Sequence, residues 1–206
     1  MYQQNGTIRH SLEDRVIEMA RELGILRTQD VINASIPRVI LTRLVRNGKL
    51  LRLGRGLYSL QDMEITSHHS LAEVAKRVPK GVICLLSALR YHNMTTQAPH
   101  EVWVAVDPKA RKPQVRDLPI RVVRFSERGR MFGVEHHEIE GVKVRITSPA
   151  KTVADCFKYR NKIGLDVAVE ALQAYRESRG SRAELREAAK VCRVTSVMQP
   201  YMEAIV

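Results

Sequence analysis

The chain has 206 residues, of which 44% are apolar and 27% charged. That length suits one large domain or two small ones and allows roughly 70% of the unfolded surface to be buried. The apolar content excludes intrinsic disorder. Every apolar run is broken by Lys, Arg, Glu or His well before 18 residues, which excludes a membrane-spanning helix. The first residues, MYQQNGTIRHSLEDR, hold no apolar segment of a secretory signal. Cys84, Cys156 and Cys192 are odd in number and far apart, so neither a disulfide framework nor a zinc motif is expected, and reduced thiols fit a cytoplasmic protein.

Thirty-four Lys and Arg against 22 Asp and Glu give a net charge of +12, which favours a polyanionic partner. The charge is unevenly spread. Residues 31–61 hold Arg38, Arg43, Arg46, Lys49, Arg52 and Arg55 and no acid. A second window, residues 109–130, holds eight bases against Asp117 and Glu127.

In chain order, Ser11 with Asp14 resembles a capping box, and Leu12, Val16, Met19, Ala20 and Leu23 recur at helical spacing up to Gly24. Thr28 is placed to cap a short second helix through Val31 and Ile32. The run Asn33-Ala34-Ser35-Ile36-Pro37 reads as a turn, and a third helix is expected over residues 37–47, closed by Gly48. Two apolar runs, 49–53 and 57–60, flank Gly54-Arg55-Gly56 and read as a hairpin. Three helices and a hairpin in this order describe a winged helix-turn-helix. On the third helix Val39, Ile40, Leu44 and Val45 are expected to face inward. Arg38, Thr42 and Arg46 at i, i+4 and i+8, with Arg43, are left for a DNA groove.

Beyond Gln61 the pattern changes. Helices are expected over residues 68–78 and 82–93, and strands over 101–106 and 120–125. A hairpin is expected over 134–147, turning at Glu140-Gly141, and further helices begin at Ser148, Gly164, Ser181 and Val194, the last interrupted near Pro200. The fold class read from this is α+β: a winged helix-turn-helix over residues 1–62, then a larger mixed domain over 63–206 ending in helices.

Catalytic and metal motifs are not found. The pairs His68-His69 and His136-His137 lack other ligands at metal spacing, and neighbours on a strand point to opposite faces. Asp107-Pro108-Lys109 is the one acid-x-Lys triplet, and Asp-Pro more often opens a turn. Glu138 and Glu140 border Lys143 and Arg145 across the hairpin, where ion pairing explains them. No cofactor is expected. A nucleic-acid-processing enzyme and a winged-helix protein-interaction module stay open as alternatives. Lys151, Asp155 and Lys158 fall at i, i+4 and i+7, and with Arg160 and Lys162 form a candidate anion- or partner-binding face.

The run RTQDVINASIPRVILTRLVRNGKLLRLGRGLYSL, followed by EVWVAVDPKARKP, RVVRF, SPAKTVADCFKYRNKIGLDVAVEAL and VCRVTSVMQPYMEAI, resembles the AbiEi family, bacterial antitoxins and transcriptional repressors of abortive-infection toxin–antitoxin systems. The resemblance spans the chain from about Ser11 onward. It implies a DNA-binding, non-enzymatic protein that represses its own operon at promoter inverted repeats and neutralises a nucleotidyltransferase-type toxin in phage defence. It implies a monomer or dimer that acts cooperatively on double-stranded DNA and has no membrane partner. Carried onto this chain, DNA contact falls on Thr28, Ser35, Arg38, Thr42, Arg43, Arg46, Arg52 and Arg55. The toxin-directed role falls on Lys151, Asp155, Lys158, Arg160 and Lys162.

Overall fold

The computed structural model describes residues 11–113, 115 and 118–204; Arg116 and Asp117 of the second basic window, and Ile205, lie outside them. The chain divides into two compact units. One takes the described residues up to Thr66 with Glu140–Val142, and the other takes Ser67–Ile139 and the described residues from Lys143 on.

The first unit contains α1 (Leu12–Leu23), β1 (Leu26–Arg27), α2 (Thr28–Asn33), α3 (Val39–Arg46), β2 (Leu50–Gly54) and β3 (Leu57–Leu60). The capping box at Ser11 is formed: the Asp14 backbone N–H donates to Ser11 Oγ at 3.1 Å, and the Ser11 N–H donates back to the Asp14 carboxylate at 3.0 Å. Thr28 does not cap α2. It is the first helical residue, and Asp30 does the capping by accepting from the Arg27 backbone N–H at 2.9 Å and from its guanidinium at 2.8 Å. Strand β1 was not expected, being only two residues long; it completes an antiparallel sheet of order β1-β3-β2. Val16, Leu26, Val31, Ile36, Ile40, Leu41, Leu44 and Leu50 close the core beneath it. Each such aliphatic side chain contributes about 1.5–3 kcal/mol by leaving water.

The second unit contains α4 (His69–Arg77), β4 (Val82–Ile83), α5 (Leu85–Tyr91), β5 (Val102–Val106), β6 (Ile120–Arg124), α6 (Glu127–Met131), β7 (Val134–Ile139), β8 (Val142–Thr147), α7 (Pro149–Lys158), α8 (Arg160–Ile163), α9 (Leu165–Glu177), α10 (Arg182–Cys192) and α11 (Thr195–Ala204). Its five-stranded sheet has the order β6-β5-β4-β8-β7, with β4 antiparallel to β5 and parallel to β8. The α+β class is as expected. Three local expectations are corrected. Val82–Ile83 is the central strand rather than the start of a helix, because pairing with β5 and β8 overrides an apolar run whose period is ambiguous. Helix α6 was not foreseen, although Ser126 caps it through the Gly129 N–H. Helix α11 runs through Pro200, which removes only one backbone donor.

The principal surprise is in α7. Lys151 and Asp155 are 0% and 1% exposed, and the ammonium lies 2.5 Å from both carboxylate oxygens. The Cys192 thiol donates to the same carboxylate at 3.3 Å, and the Phe125 ring lies 4.8 Å from Lys151 Nζ. Gly133, at φ +59°, packs so closely that a Cβ there would sit 2.8 Å from Lys151 Cβ. Burial pushes the Asp155 carboxyl above the usual range, against the pull of Lys151. The same burial raises the thiols of Cys84 and Cys156 well above normal and that of Cys192 to about 12.

Two outcomes follow. Lys151→Met should cost on the order of 3–5 kcal/mol in a urea melt by stranding a buried carboxylate, and the double variant Lys151→Met/Asp155→Leu should recover most of it. In native protein none of the three thiols should react with a disulfide reagent within minutes, and all three should react in denaturant; rapid native labelling would contradict the burial.

Candidate nucleic-acid interface

The candidate reading element is the α2–turn–α3 segment. The turn is held by Ile36, whose backbone N–H donates to Val31 O at 3.0 Å while its side chain is buried. Ser35 adopts φ +59°, a left-handed position that a short polar residue tolerates. It is exposed, as are Arg38, Val39, Thr42, Arg43 and Arg46.

At about 100° per residue, the buried residues Ile40, Leu41 and Leu44 occupy one side of α3. The exposed residues run in the order Arg38, Thr42, Arg46, Val39, Arg43 over an arc of roughly 140° on the other side. Val39 is thus corrected: it is 59% exposed, in the middle of the cationic arc, and Leu41 takes the inward place expected for it. Angular bookkeeping on the sequence could have found this, since Val39 lies beside Arg46 and well away from Leu44.

The arginines on this arc differ. Among the described residues, the side chains of Arg38 and Arg46 make no hydrogen bond or ion pair, whereas Arg43 Nη1 lies 3.4 Å from Glu13 Oε1 of α1. Arg43 therefore shares its charge with a carboxylate, loosely and in solvent. The hairpin β2–β3 forms the wing, with a register shift between Arg52 and Gly54. Both of its arginines are exposed, and Arg52 Nε lies 3.4 Å from Gly54 O. Thr28 has a different place: it is half-buried, and its N–H donates to Gly56 O at 2.9 Å. At Gly56, φ is +72° and a Cβ would approach Thr28 Oγ1 to 3.3 Å, so Thr28 fixes the wing tip to α2.

The expected partner face in the second unit does not hold together. Lys158 and Lys162 are exposed and Arg160 is half-buried, donating to Phe157 O at 2.9 Å. Lys151 and Asp155 belong to the core instead, because α7 turns that side toward Phe125 and Cys192 and the two charges satisfy each other there.

Much of the second basic window is also engaged. Arg124 Nη1 donates to the carbonyls of Asp107, Pro108 and Ala110, and Arg121 pairs with Glu101 at 2.7 Å above the Trp103 ring. Asp107 accepts from the Lys109 N–H at 2.8 Å, so the acid-x-Lys triplet is a turn. Arg145 does not pair across the hairpin; it donates to Pro79 O and Gly81 O. His137 pairs with Glu135 at 3.0 Å while His136 is exposed. His92 lies with Nε2 2.8 Å from Thr147 O, and burial lowers its pKa, so its neutral ring donates to that carbonyl.

Comparison with known proteins bears on this geometry. Residues 14–61 match a family described as transcriptional regulator, AbiEi antitoxin. No curated protein matches the sequence. The crystal structure of the RV2827C protein from Mycobacterium tuberculosis aligns with a TM-score of 0.50 at 13% identity, covering 87% of this chain and 81% of that one. At that identity the likeness is one of fold. No helix among the described residues is long and apolar enough to cross a membrane. Residues 14–61, which hold the exposed arc of α3 and the wing, are thus the part of the chain that is similar to the AbiEi antitoxin transcriptional regulators.

Proposed function

We propose that this protein is a non-enzymatic, cytoplasmic repressor that binds inverted repeats in the promoter of its own operon and neutralises a nucleotidyltransferase-type toxin in phage defence. The observation that carries the DNA half is the exposed arc of α3, where unpaired guanidinium groups stand on a helix whose other side is buried. Helix α3 enters the major groove, where a guanidinium can fork onto guanine O6 and N7. Ser35 and Thr42 reach phosphates or base edges, and Arg52 and Arg55 on the wing meet the backbone or the minor groove. Thr28 acts by holding the wing. The toxin half is supported by the family match and by the resemblance of the second unit's sequence. Of the residues expected to face the toxin, Lys158, Arg160 and Lys162 lie outside the core.

Binding to a duplex selected from a random pool should weaken with salt, by a slope of about −0.9 in log–log form for each phosphate contacted. Arg46→Ala should cost on the order of 1–3 kcal/mol on the selected duplex and less on random DNA. Arg43→Ala should cost less, because Glu13 already holds part of that charge. Equal losses on selected and random duplexes would make Arg46 a phosphate clamp.

Val39 is placed to meet thymine methyl groups. Replacing the thymines of the selected duplex by deoxyuridine should therefore weaken wild-type binding and leave Val39→Ala unchanged. An equal effect on both proteins would remove Val39 from base reading.

A further inference from the structure

Helices α9, α10 and α11 enclose a groove of about 580 Å³ in the second unit. Its floor is aliphatic, formed by Leu172, Leu185, Ala189 and Met202. Its rim is cationic: Arg176 and Arg179 stand at the end of α9, and Arg182, Arg186 and Lys190 stand along α10. Glu203 is the one acid that lines it, and Gln199 donates to that carboxylate at 2.9 Å.

The rim is ordered. Arg182, Arg186 and Lys190 are spaced by four residues, so they form a ladder with rungs about 6 Å apart along one side of α10. Glu184 falls roughly 200° around the helix from Arg182, away from the ladder, while Glu187 lies about 60° from Lys190 and is its neighbour on the helix surface. The turn before the ladder is built around a ring. Gly180 lies against Tyr175 so closely that a Cβ would come within 2.3 Å of Cζ, and Tyr175 Oη donates to Ser181 O at 3.0 Å. Arg179 and Arg182 are held at the groove mouth by that turn. Among the described residues, no side-chain hydrogen bond or ion pair engages Arg176, Arg179, Arg182 or Arg186; Lys190 lies 3.7 Å from Glu187.

We propose that this groove binds an acidic amphipathic helix of a partner protein. The inference rests on the reading that the second unit has a protein partner, and it names where and with what chemistry that partner docks. An apolar floor takes the stripe of such a helix, and carboxylates four residues apart meet the cationic ladder. Three other occupants fit less well. A nucleic-acid strand needs several aromatic faces to stack on, and among the described residues Tyr175 is the one aromatic residue in the lining. A membrane surface needs protruding apolar side chains, whereas these line a concavity. A second copy of this chain carries +12 overall, and the first ten residues hold no acid, so neither complements the rim.

The test uses the full chain and a fluorescein-labelled synthetic 18-residue helix with leucines at i, i+3, i+4 and i+7 and glutamates elsewhere. Anisotropy titration should show saturable binding to wild type. Binding should be at least tenfold weaker for Arg182→Glu/Arg186→Glu, and absent for a peptide with lysine in place of glutamate. Both substitutions are on exposed positions, and an unchanged melting temperature and duplex gel shift show that the variant is folded. Equal binding by variant and wild type overturns the proposal. So does displacement of the peptide by oligothymidylate or by anionic phosphatidylglycerol vesicles at lower concentration than by unlabelled peptide. Toxin protection is read separately in cells. A wild-type chain that binds the peptide yet fails to protect overturns the toxin reading and leaves the groove standing.

Discussion

The exposed cationic surface of the first unit exists because α3 divides its residues sharply. Ile40, Leu41 and Leu44 are buried, and that contact fixes the helix's rotation, so the residues left outside are Arg38, Val39, Thr42, Arg43 and Arg46. A rotation by one residue would bury an arginine and expose a leucine. The apolar side is thus what aims the cationic side. Ile36 performs the same service for the turn, and Thr28 with Gly56 performs it for the wing. An arginine that floats on a mobile loop contributes charge; one on a fixed helix contributes position as well, and base reading depends on position.

Net charge is a poor guide to which cations are available. Arg121, Arg124 and Arg145 are drawn to Glu101 and to backbone carbonyls at 107, 108, 110, 79 and 81, where they close strand ends. These guanidinium groups satisfy carbonyls that a sheet leaves open at its margins. The cations of α3 and of the α10 ladder make few such contacts. Among the described residues the cations therefore separate into structural ones and solvent-facing ones, and two groups of the latter stand on α3 and α10, each with an apolar side turned away from them.

Sequence patterning conveyed the first unit well because its signals are local. A serine and an aspartate three residues apart cap α1, Gly24 ends it, and two glycines around Arg55 make the wing turn. The failures at Val82–Ile83 and at Lys151 with Asp155 share a cause, which is dependence on distant neighbours; the one at Val39 is local. Val82–Ile83 reads as helix until β5 and β8 lie beside it. Val39 was given an inward place by apolar type alone, although its angle around α3 sets it among the arginines. Lys151 and Asp155 look like a surface pair because charged residues at i and i+4 normally are, and only the packing of Phe125, Gly133 and Cys192 around them places them inside.

That buried pair also changes what the SPAKTVADCFK stretch says. SPAKTVADCFK is distinctive because it carries a capping serine, a proline in the first helical turn, and an ion pair that must be present complete. Loss of either charge alone leaves the other in a low-dielectric interior and destabilises the fold. Residues held for that reason identify the fold of the second unit and are silent about what it binds. Positions where substitution costs little in folding lie on exposed α10 rather than on buried α7.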